Sequence, residues 1–229
     1  MQPLQLIVFD MAGTTIDEDN LVYKTLHRAV VQAGHQTDLD TVLLHAAGKE
    51  KLQAIRDVLA AVSGGTATEQ EALTIYRDFE EMLPAAYAKH PVNPMPWAES
   101  VFFRLKKIGV KVALNTGYRR PIAEGLLRQL DWLDHPAIDL VLTADDVERS
   151  RPHPDMIFLA MQKLGIPDAR QVGKIGDSVA DIEEGLNAGC GLAAGITTGA
   201  QTAEQLWEAK PTHVFNSLEE VYKFVGPTT

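Results

Sequence analysis

The chain is poor in cysteine and in positive charge, and it has no long apolar run. Its one cysteine, Cys190, excludes an internal disulfide. With 21 basic against 31 acidic residues, the net charge of −10 disfavours binding to nucleic acid or to an anionic membrane. No apolar stretch approaches the roughly 18 residues that span a bilayer, and the first residues lack the pattern of a secretory signal. We therefore expect a cytoplasmic protein without nucleic-acid or membrane partners.

Short apolar runs that end in turns recur along the chain and alternate with helical patterns. The runs predict strands at 4–9, 111–115, 140–143, 172–177, 191–196 and 213–215. The patterns between them predict helices at 98–108, 121–130, 155–164, 179–188 and 202–209. This alternation is typical of a doubly wound, mostly parallel, Rossmann-like α/β sheet, which binds ligands at the carboxyl ends of its strands.

One region interrupts the alternation. Helical patterns follow one another at 20–33, 39–46, 51–63 and 67–89, with glycines between them. Inserted after the first strand, these helices predict a cap domain over the ligand crevice. We expect a core of residues 1–17 and 93–229 and a helical cap of residues 18–92.

Four short polar motifs lie at predicted strand ends or helix starts. They read DMAGTT at 10–15, NTG at 115–117, RPHP at 151–154 and GDSVAD at 176–181. A single aspartate or arginine in such a place is usually a cap, turn or solvated loop residue. In this order, however, the motifs resemble the four-motif set of the haloacid dehalogenase-like (HAD) hydrolase superfamily.

The resemblance implies phosphoryl transfer through an aspartyl phosphate, which water then hydrolyses. Such chemistry needs an in-line nucleophile, positive charge on the transferred oxygens and a divalent cation. Asp10 is the expected nucleophile. Arg151 stands where the superfamily usually has lysine and would balance the charge of Asp10 and the phosphoryl group. The residues expected to bind the phosphoryl oxygens are Thr14, Thr116, Gly117, Arg151 and Lys51.

The expected cation is Mg²⁺, which prefers hard oxygen ligands and keeps several waters. Its protein ligands would be Asp10, the backbone carbonyl of Ala12 and Asp177. Asp181, four residues after Asp177, would be a second ligand or an orienting neighbour. The alternative for Asp177 and Asp181 is a helix N-cap followed by a solvated helix carboxylate.

Ala12 occupies the position where ordinary HAD phosphatases have an acid–base aspartate. The Asp-x-Ala-Gly-Thr-Thr version resembles the phosphonoacetaldehyde hydrolase (phosphonatase) branch, which cleaves a C–P bond and has no leaving oxygen to protonate. In that branch a cap lysine forms a Schiff base with the substrate aldehyde. The segment 47–56 aligns with the lysine-bearing loop and puts Lys51 at that position, although a lysine at a charged helix start is commonly solvated.

Three cap positions differ from the family. Its cysteine, methionine and histidine helpers correspond to Asn20, Ala47 and Ala54. The first hypothesis is hydrolysis of phosphonoacetaldehyde or a similar small carbonyl phosphonate. The alternatives are a phosphatase for a small monoester such as phosphoglycolate, and a degenerate HAD binding module. Amphipathic cap helices could also supply a homodimer interface, as the resemblance implies.

Overall fold

A parallel sheet of six strands forms the centre of the fold. The structure, a computed structural model, describes residues 3–226. Its strands there are β1 (Leu6–Asp10), β2 (Ile16–Asp17), β3 (Asn93–Pro94), β4 (Lys111–Asn115), β5 (Leu140–Leu142), β6 (Val172–Gly176), β7 (Leu192–Ile196) and β8 (His213–Phe215). The main sheet has the order β5-β4-β1-β6-β7-β8, with parallel pairing between all neighbours.

Helices cover both faces of this sheet. Over the described residues they are α1 (Leu21–Gln32), α2 (Leu39–Ala46), α3 (Lys51–Val62), α4 (Glu69–Tyr87), α5 (Ala98–Lys107), α6 (Arg120–Gln129), α7 (Asp155–Leu164), α8 (Val179–Ala188), α9 (Ala203–Glu208) and α10 (Leu218–Val225). Strand β1 shows the two faces: Phe9 packs against Phe102 of α5 with ring centroids 5.8 Å apart. Val8 belongs instead to the cluster that contains Met156 of α7. Burial on both sides explains the uninterrupted apolar sequence of β1.

The four helices α1 to α4 pack on one another and form the insertion. Three of them, α2 to α4, begin with side-chain caps: for example, the Asp38 side chain accepts from the Thr41 amide, and Thr68 accepts from the Glu71 amide. The two chain crossings between insertion and core meet in the short antiparallel pair of β2 and β3. This architecture confirms the predicted doubly wound core with an inserted helical cap.

The loop between α2 and α3 presses directly on the core. A Cβ added to Gly48 would lie 2.0 Å from Ser178 Oγ, and one added to Gly117 would lie 2.8 Å from the Lys49 carbonyl oxygen. Gly48 also has φ +72°, a conformation that side chains disfavour. Glycine at both positions therefore permits the close approach that brings the start of α3 onto the sheet edge.

Most predicted elements match observed ones within one or two residues, and three were missed: β2, β3 and α10. The β2–β3 pair has only two residues on each strand, too few for an alternating pattern to stand out. Helix α10 was also missed, although the Ser217 side chain caps it by accepting from the Glu220 amide. No helix in residues 3–226 is both long and apolar enough to cross a membrane.

Candidate active site

Asp10 ends β1, one of the two central strands of the sheet, and its side chain is buried. The Arg151 guanidinium donates to Asp10 Oδ1 at 2.6 Å. The Thr15 hydroxyl donates to the Asp10 carbonyl at 2.9 Å and fixes the turn that follows the strand. Burial raises the pKa of Asp10, and the charge of Arg151 opposes that rise. Arg151 thus holds the Asp10 carboxylate in one orientation, and it is the cation that the resemblance led us to expect beside Asp10.

Two further carboxylates lie beside Asp10. Asp177 follows β6, Asp181 lies in the first turn of α8, and one oxygen of each of the three aspartates lies within 4.8 Å of the others. The Ala200 amide donates to Asp177 Oδ2 at 2.6 Å. Burial, together with the charges of Asp10 and Asp181, raises the pKa of Asp177 well above its ordinary value. The structure therefore brings together the aspartates that the sequence singled out.

A buried polar network supports this cluster from below. Asp181 Oδ1 accepts from Arg151 Nη1 and lies 2.7 Å from Lys174 Nζ. Lys174 Nζ also donates to Asn115 Oδ1 at 2.8 Å, and the Asn115 amide donates to Glu184 at 3.0 Å. Although burial acts to raise the pKa of Asp181, Arg151 and Lys174 hold it below its ordinary value. Each charge is paired, as burial requires.

The buried charges of this region do not cancel. Four carboxylates face two cations: Asp10, Asp177, Asp181 and Glu184 against Arg151 and Lys174. Counted as ionised, these six groups carry a formal surplus of two negative charges, and the charge of buried Lys51 acts on Asp10 from the cap side. A divalent cation would favour the ionised form of these carboxylates. The donor set consists of hard oxygens, which suits Mg²⁺ rather than a softer metal.

The oxygens differ in how free they are to bind such a cation. Both oxygens of Asp181 are engaged, Oδ1 with the two cations and Oδ2 with the Ser178 hydroxyl. In the part of the chain that the structure describes, no protein hydrogen bond reaches Asp10 Oδ2, Asp177 Oδ1 or the Ala12 carbonyl. The arrangement fits a metal ion at Asp10, Ala12 and Asp177, with Asp181 as the neighbour that orients the ligands.

Three other predicted residues lie in the loops after β1 and β4, next to Asp10. Asp10 and Asn115 are register partners, so Thr116 and Gly117 follow at the same sheet edge. Thr116 is buried, and its hydroxyl accepts from the Tyr118 amide at 3.2 Å. Thr14 is also buried, and its hydroxyl has no hydrogen-bond partner among residues 3–226. A buried hydroxyl without a partner is available to a ligand oxygen.

Lys51 is the cap residue that reaches this edge. It is the first residue of α3, yet only 6% of it is exposed, because the loop before it is pressed on the core. Its Nζ donates to the Lys49 carbonyl at 2.8 Å and lies 5.1 and 5.3 Å from the ring centroids of Tyr23 and Tyr118. Burial, with a contribution from Arg151, lowers the pKa of Lys51 to about 8. The solvated alternative for this lysine is wrong.

The three positions that differ from the family have plain structural roles. Asn20 precedes α1 with φ 53°, and its side chain makes no cap hydrogen bond. Ala47 and Ala54 are buried apolar residues. Near the lysine, aromatic side chains take over part of the enclosure, since Tyr23 also accepts from the Gly48 amide at 3.0 Å. Ala47 and Ala54 therefore provide apolar packing where the resemblance places the family's methionine and histidine.

Lys174 and Glu184 were missed by the sequence reasoning, although signals for both exist. Lys174 lies in a strand buried on both faces, where a charge needs a partner. Glu184 is three residues after Asp181 and lies on the same face of α8. A second missed feature is a buried carboxyl at the cap junction: Glu18 accepts from the Val22 amide at 3.0 Å and from the Tyr87 hydroxyl at 2.9 Å.

Replacing Glu18 by glutamine should change how stability depends on pH. Burial raises the pKa of Glu18 from 4.5 to about 7. Between these values the folded protein retains a proton that the unfolded chain has lost, so this carboxyl destabilises the fold increasingly as pH rises through that window. Relative to wild type, Glu18→Gln should gain up to about 3 kcal/mol of unfolding free energy between pH 5 and pH 8. Urea unfolding at both pH values measures the change.

The matched control is Glu81→Gln, because Glu81 is an exposed carboxylate on α4. Its difference from wild type should be the same at pH 5 and pH 8. A constant difference for Glu18→Gln as well would show that this carboxyl titrates normally in the folded protein.

The comparison with protein families agrees with the geometry. The family model described as haloacid dehalogenase-like hydrolase matches residues 4–189. The chain belongs to the haloacid dehalogenase-like hydrolases. It is an enzyme of the hydrolase class, and the buried aspartate cluster occupies the ligand-binding edge of its sheet.

Within that family the chain is similar to phosphonoacetaldehyde hydrolase. It is 26% identical over 232 residues to the Bacillus cereus strain AH187 protein of that name, covering 96% of this chain and 87% of the relative. Among solved structures, a phosphonoacetaldehyde hydrolase-like protein from Oleispira antarctica has a TM-score of 0.84 at 23% identity, covering 97% and 91% of the two chains.

A structure named for a different activity is equally similar in fold. A putative phosphoglycolate phosphatase from Lactobacillus delbrueckii has a TM-score of 0.83 at 20% identity, covering 99% of this chain and all of the other. At such identities the likeness concerns the fold. The fold thus serves relatives named for C–P and for P–O bond cleavage, and the choice depends on the residues of the site.

Proposed function

We propose that the protein transfers a phosphoryl group from a small metabolite to Asp10 and then to water. The observation that carries this proposal is the buried Asp10–Arg151 pair in a carboxylate cluster with a formal surplus of two negative charges. Arg151 orients Asp10 for attack on phosphorus, and its remaining donor capacity stabilises the transferred oxygens. Thr14, Thr116 and Gly117 bind those oxygens through hydroxyl and backbone groups.

Mg²⁺ is the proposed cofactor, held by Asp10, the Ala12 carbonyl and Asp177. When bound, it offsets the repulsion between the carboxylate and the incoming phosphoryl group. Asp181 keeps the site in shape through Arg151 and Lys174, which lie 2.7 Å from it. Loss of Arg151 or Lys174 would leave buried carboxylates such as Asp181 with still more unbalanced negative charge.

The proposed bond cleaved is the C–P bond of phosphonoacetaldehyde or a similar small carbonyl phosphonate. The neutral Lys51 amine attacks the carbonyl carbon, and water leaves to give a protonated Schiff base. The C–P bond then breaks as phosphorus passes to Asp10, and its electron pair moves into the enamine, with the iminium nitrogen as the sink. Protonation at carbon and hydrolysis release the aldehyde and the lysine. A leaving oxygen never forms, so no acid is needed at Ala12.

The buried amine of Lys51 supports this choice. At a pKa of about 8 a substantial fraction is neutral near pH 7.5, compared with a tiny fraction for a solvated lysine. A cleft of about 480 Å³, lined by cap residues such as Gln53 and core residues such as Pro152, reaches Arg151. A second cleft, of about 250 Å³, is lined by Lys51 and Gly117. A small substrate that bridges the two would place its carbonyl at Lys51 and its phosphonate at Arg151.

Hydrolysis of a small phosphate ester such as phosphoglycolate is the second candidate. The absence of the family's cysteine, methionine and histidine at residues 20, 47 and 54 favours it, because the resemblance implies that the phosphonatase branch uses them. A degenerate binding module is set aside, because the chain belongs to a hydrolase family and Asp10, Arg151 and the other aspartates lie together in one cluster.

A substrate comparison tests these proposals. Phosphate release from phosphonoacetaldehyde and from phosphoglycolate is measured with and without Mg²⁺, and borohydride is added to a parallel phosphonoacetaldehyde reaction. The expected result is Mg²⁺-dependent release from the phosphonate, with inactivation by borohydride and label on Lys51. Release from phosphoglycolate alone would establish the phosphatase instead.

Introducing an acid at residue 12 separates the two bond types. Ala12→Asp should lower phosphonoacetaldehyde turnover, because it adds a carboxylate to a cluster that already carries surplus negative charge. Steady-state phosphate release from both substrates is the measurement. Ala12→Asn, which has the same size without the acid, is the control. A gain of about 10²-fold on phosphoglycolate for Ala12→Asp alone would favour the phosphatase.

A further inference from the structure

Three buried side chains form a hydrogen-bonded chain from the cap junction to the lysine. Glu18 follows β2, Tyr87 ends α4, and Tyr118 lies in the core loop after β4. The Tyr87 hydroxyl lies 2.9 Å from Glu18 Oε2 and 3.0 Å from the Tyr118 hydroxyl. None of the three is more than 6% exposed. The chain therefore connects two separate crossings of the cap with the core, shielded from solvent.

Such a chain has two internally consistent states. With Glu18 ionised, Tyr87 donates to Glu18 and Tyr118 donates to Tyr87, so the Tyr118 oxygen can accept a proton from the site. With Glu18 protonated, the directions reverse: Glu18 donates to Tyr87, Tyr87 donates to Tyr118, and the Tyr118 hydroxyl points its proton towards the site. Moving a proton along the chain converts one state into the other without breaking the order of the oxygens.

The site end of the chain lies beside Lys51, whose Nζ donates to the Lys49 carbonyl at 2.8 Å and, among residues 3–226, makes no direct hydrogen bond to the Tyr118 hydroxyl. Lys51 Nζ lies 5.3 Å from the Tyr118 ring centroid, and the charge of Glu18 acts on the lysine directly. The pKa of Glu18 is raised to about 7 and that of Lys51 is lowered to about 8, in both cases mainly by burial. The charged and titratable groups that face this pair are Asp10, Tyr23, Glu50, Tyr87, Tyr118 and Arg151.

We propose that Glu18, through Tyr87 and Tyr118, stores and returns the proton that Lys51 must lose before it attacks a carbonyl. The inference rests on the proposed function. In the forward step the Lys51 ammonium gives a proton through one bridging water to Tyr118, Tyr118 gives its proton to Tyr87, and Tyr87 gives its own to the Glu18 carboxylate. The products are a neutral amine and a carboxylic acid.

The return step uses the same proton. After the amine adds to the carbonyl, the resulting hydroxyl must leave as water and needs a proton to do so. Tyr118 supplies it while Tyr87 and Glu18 pass theirs back, which regenerates the ionised carboxylate. No proton is gained or lost overall. The cap junction thus provides the acid–base capacity for Schiff-base formation, and Glu18 is a positioning residue for it because it acts through the two tyrosines.

Two variants interrupt the chain with little change of shape. Glu18→Gln keeps an acceptor for Val22 and Tyr87 but cannot hold the proton, and Tyr87→Phe removes one hydroxyl. The control is Tyr76→Phe, since Tyr76 also lies on α4 and its hydroxyl donates to Glu80 at 2.8 Å, outside the chain. For each protein, kcat/KM with phosphonoacetaldehyde is measured from pH 5.5 to 9.5, with the rate of borohydride inactivation as a second readout.

In both chain variants kcat/KM should fall by about 10²-fold, and the inflection near pH 7 should disappear from the profile. Borohydride inactivation should slow in parallel, while Tyr76→Phe behaves as wild type. An inflection that persists in Glu18→Gln or Tyr87→Phe, whatever the size of the loss, overturns the proton chain and leaves a structural role. If the wild-type protein shows neither phosphonate turnover nor labelled Lys51, the proposed function is wrong. That outcome is distinct from a failure of the proton chain alone, in which the wild type remains active.

Discussion

Replacing Asp10 by asparagine is expected to abolish phosphate release from every substrate, by at least about 10⁴-fold. Asparagine keeps the shape of the side chain and an oxygen that can accept from Arg151, now 2.6 Å from Asp10 Oδ1. Its amide is not a nucleophile towards phosphorus, so the aspartyl phosphate cannot form. Single-turnover assays with phosphonoacetaldehyde and phosphoglycolate, both in Mg²⁺, measure the loss.

The control for this variant is Asp168→Asn. Asp168 is a surface carboxylate that caps a short turn and pairs with Arg170, and it is not part of the buried cluster. It should retain wild-type turnover. Because both candidate bond types require the same nucleophile, activity that survives in Asp10→Asn would contradict the whole phosphoryl-transfer proposal and not only one substrate.

The fold could be predicted from local patterns because its strands and helices differ in period and are separated by turns. The run at 111–115 is observed unchanged as β4, and the pattern at 155–164 as α7. The segments that were missed depend on distant partners. Asn93–Pro94 becomes a strand only because Ile16–Asp17 lies opposite, across the whole inserted cap. Tertiary pairing of this kind leaves no periodic signal.

The same distinction applies to the site. Asp10, Thr116 and Asp177 could be placed together because parallel strands end at one edge of the sheet. The roles of Lys174 and Glu18 depend on which side chains surround them once the chain has folded. Lys174 contacts Asn115 and Asp181 from other elements, and Glu18 reaches Tyr87 from 69 positions away. Sequence spacing does not reveal such long-range partners.

Lys51→Arg is expected to remove phosphonoacetaldehyde turnover by at least about 10³-fold, while phosphate-ester turnover, where present, changes little. Arginine keeps a positive charge at the buried start of α3, so the field felt by Asp10 and a phosphonate is largely retained. A guanidinium stays protonated and does not form a Schiff base at neutral pH. Rates on both substrates and peptide mapping after borohydride treatment are the measurements.

The matched control is Lys49→Arg. Lys49 lies two residues earlier, in the loop before α3, but its ammonium pairs with Asp57 and is partly exposed. It should keep wild-type turnover and the borohydride label on Lys51. An equal loss on phosphonate and ester in Lys51→Arg would contradict the Schiff base, because a lysine that only binds phosphoryl oxygens serves both substrates alike. If Lys51→Arg loses turnover of the phosphonate alone and the borohydride label disappears, Lys51 forms the Schiff base that accepts the electron pair of the C–P bond. An acid at residue 12 is then unnecessary.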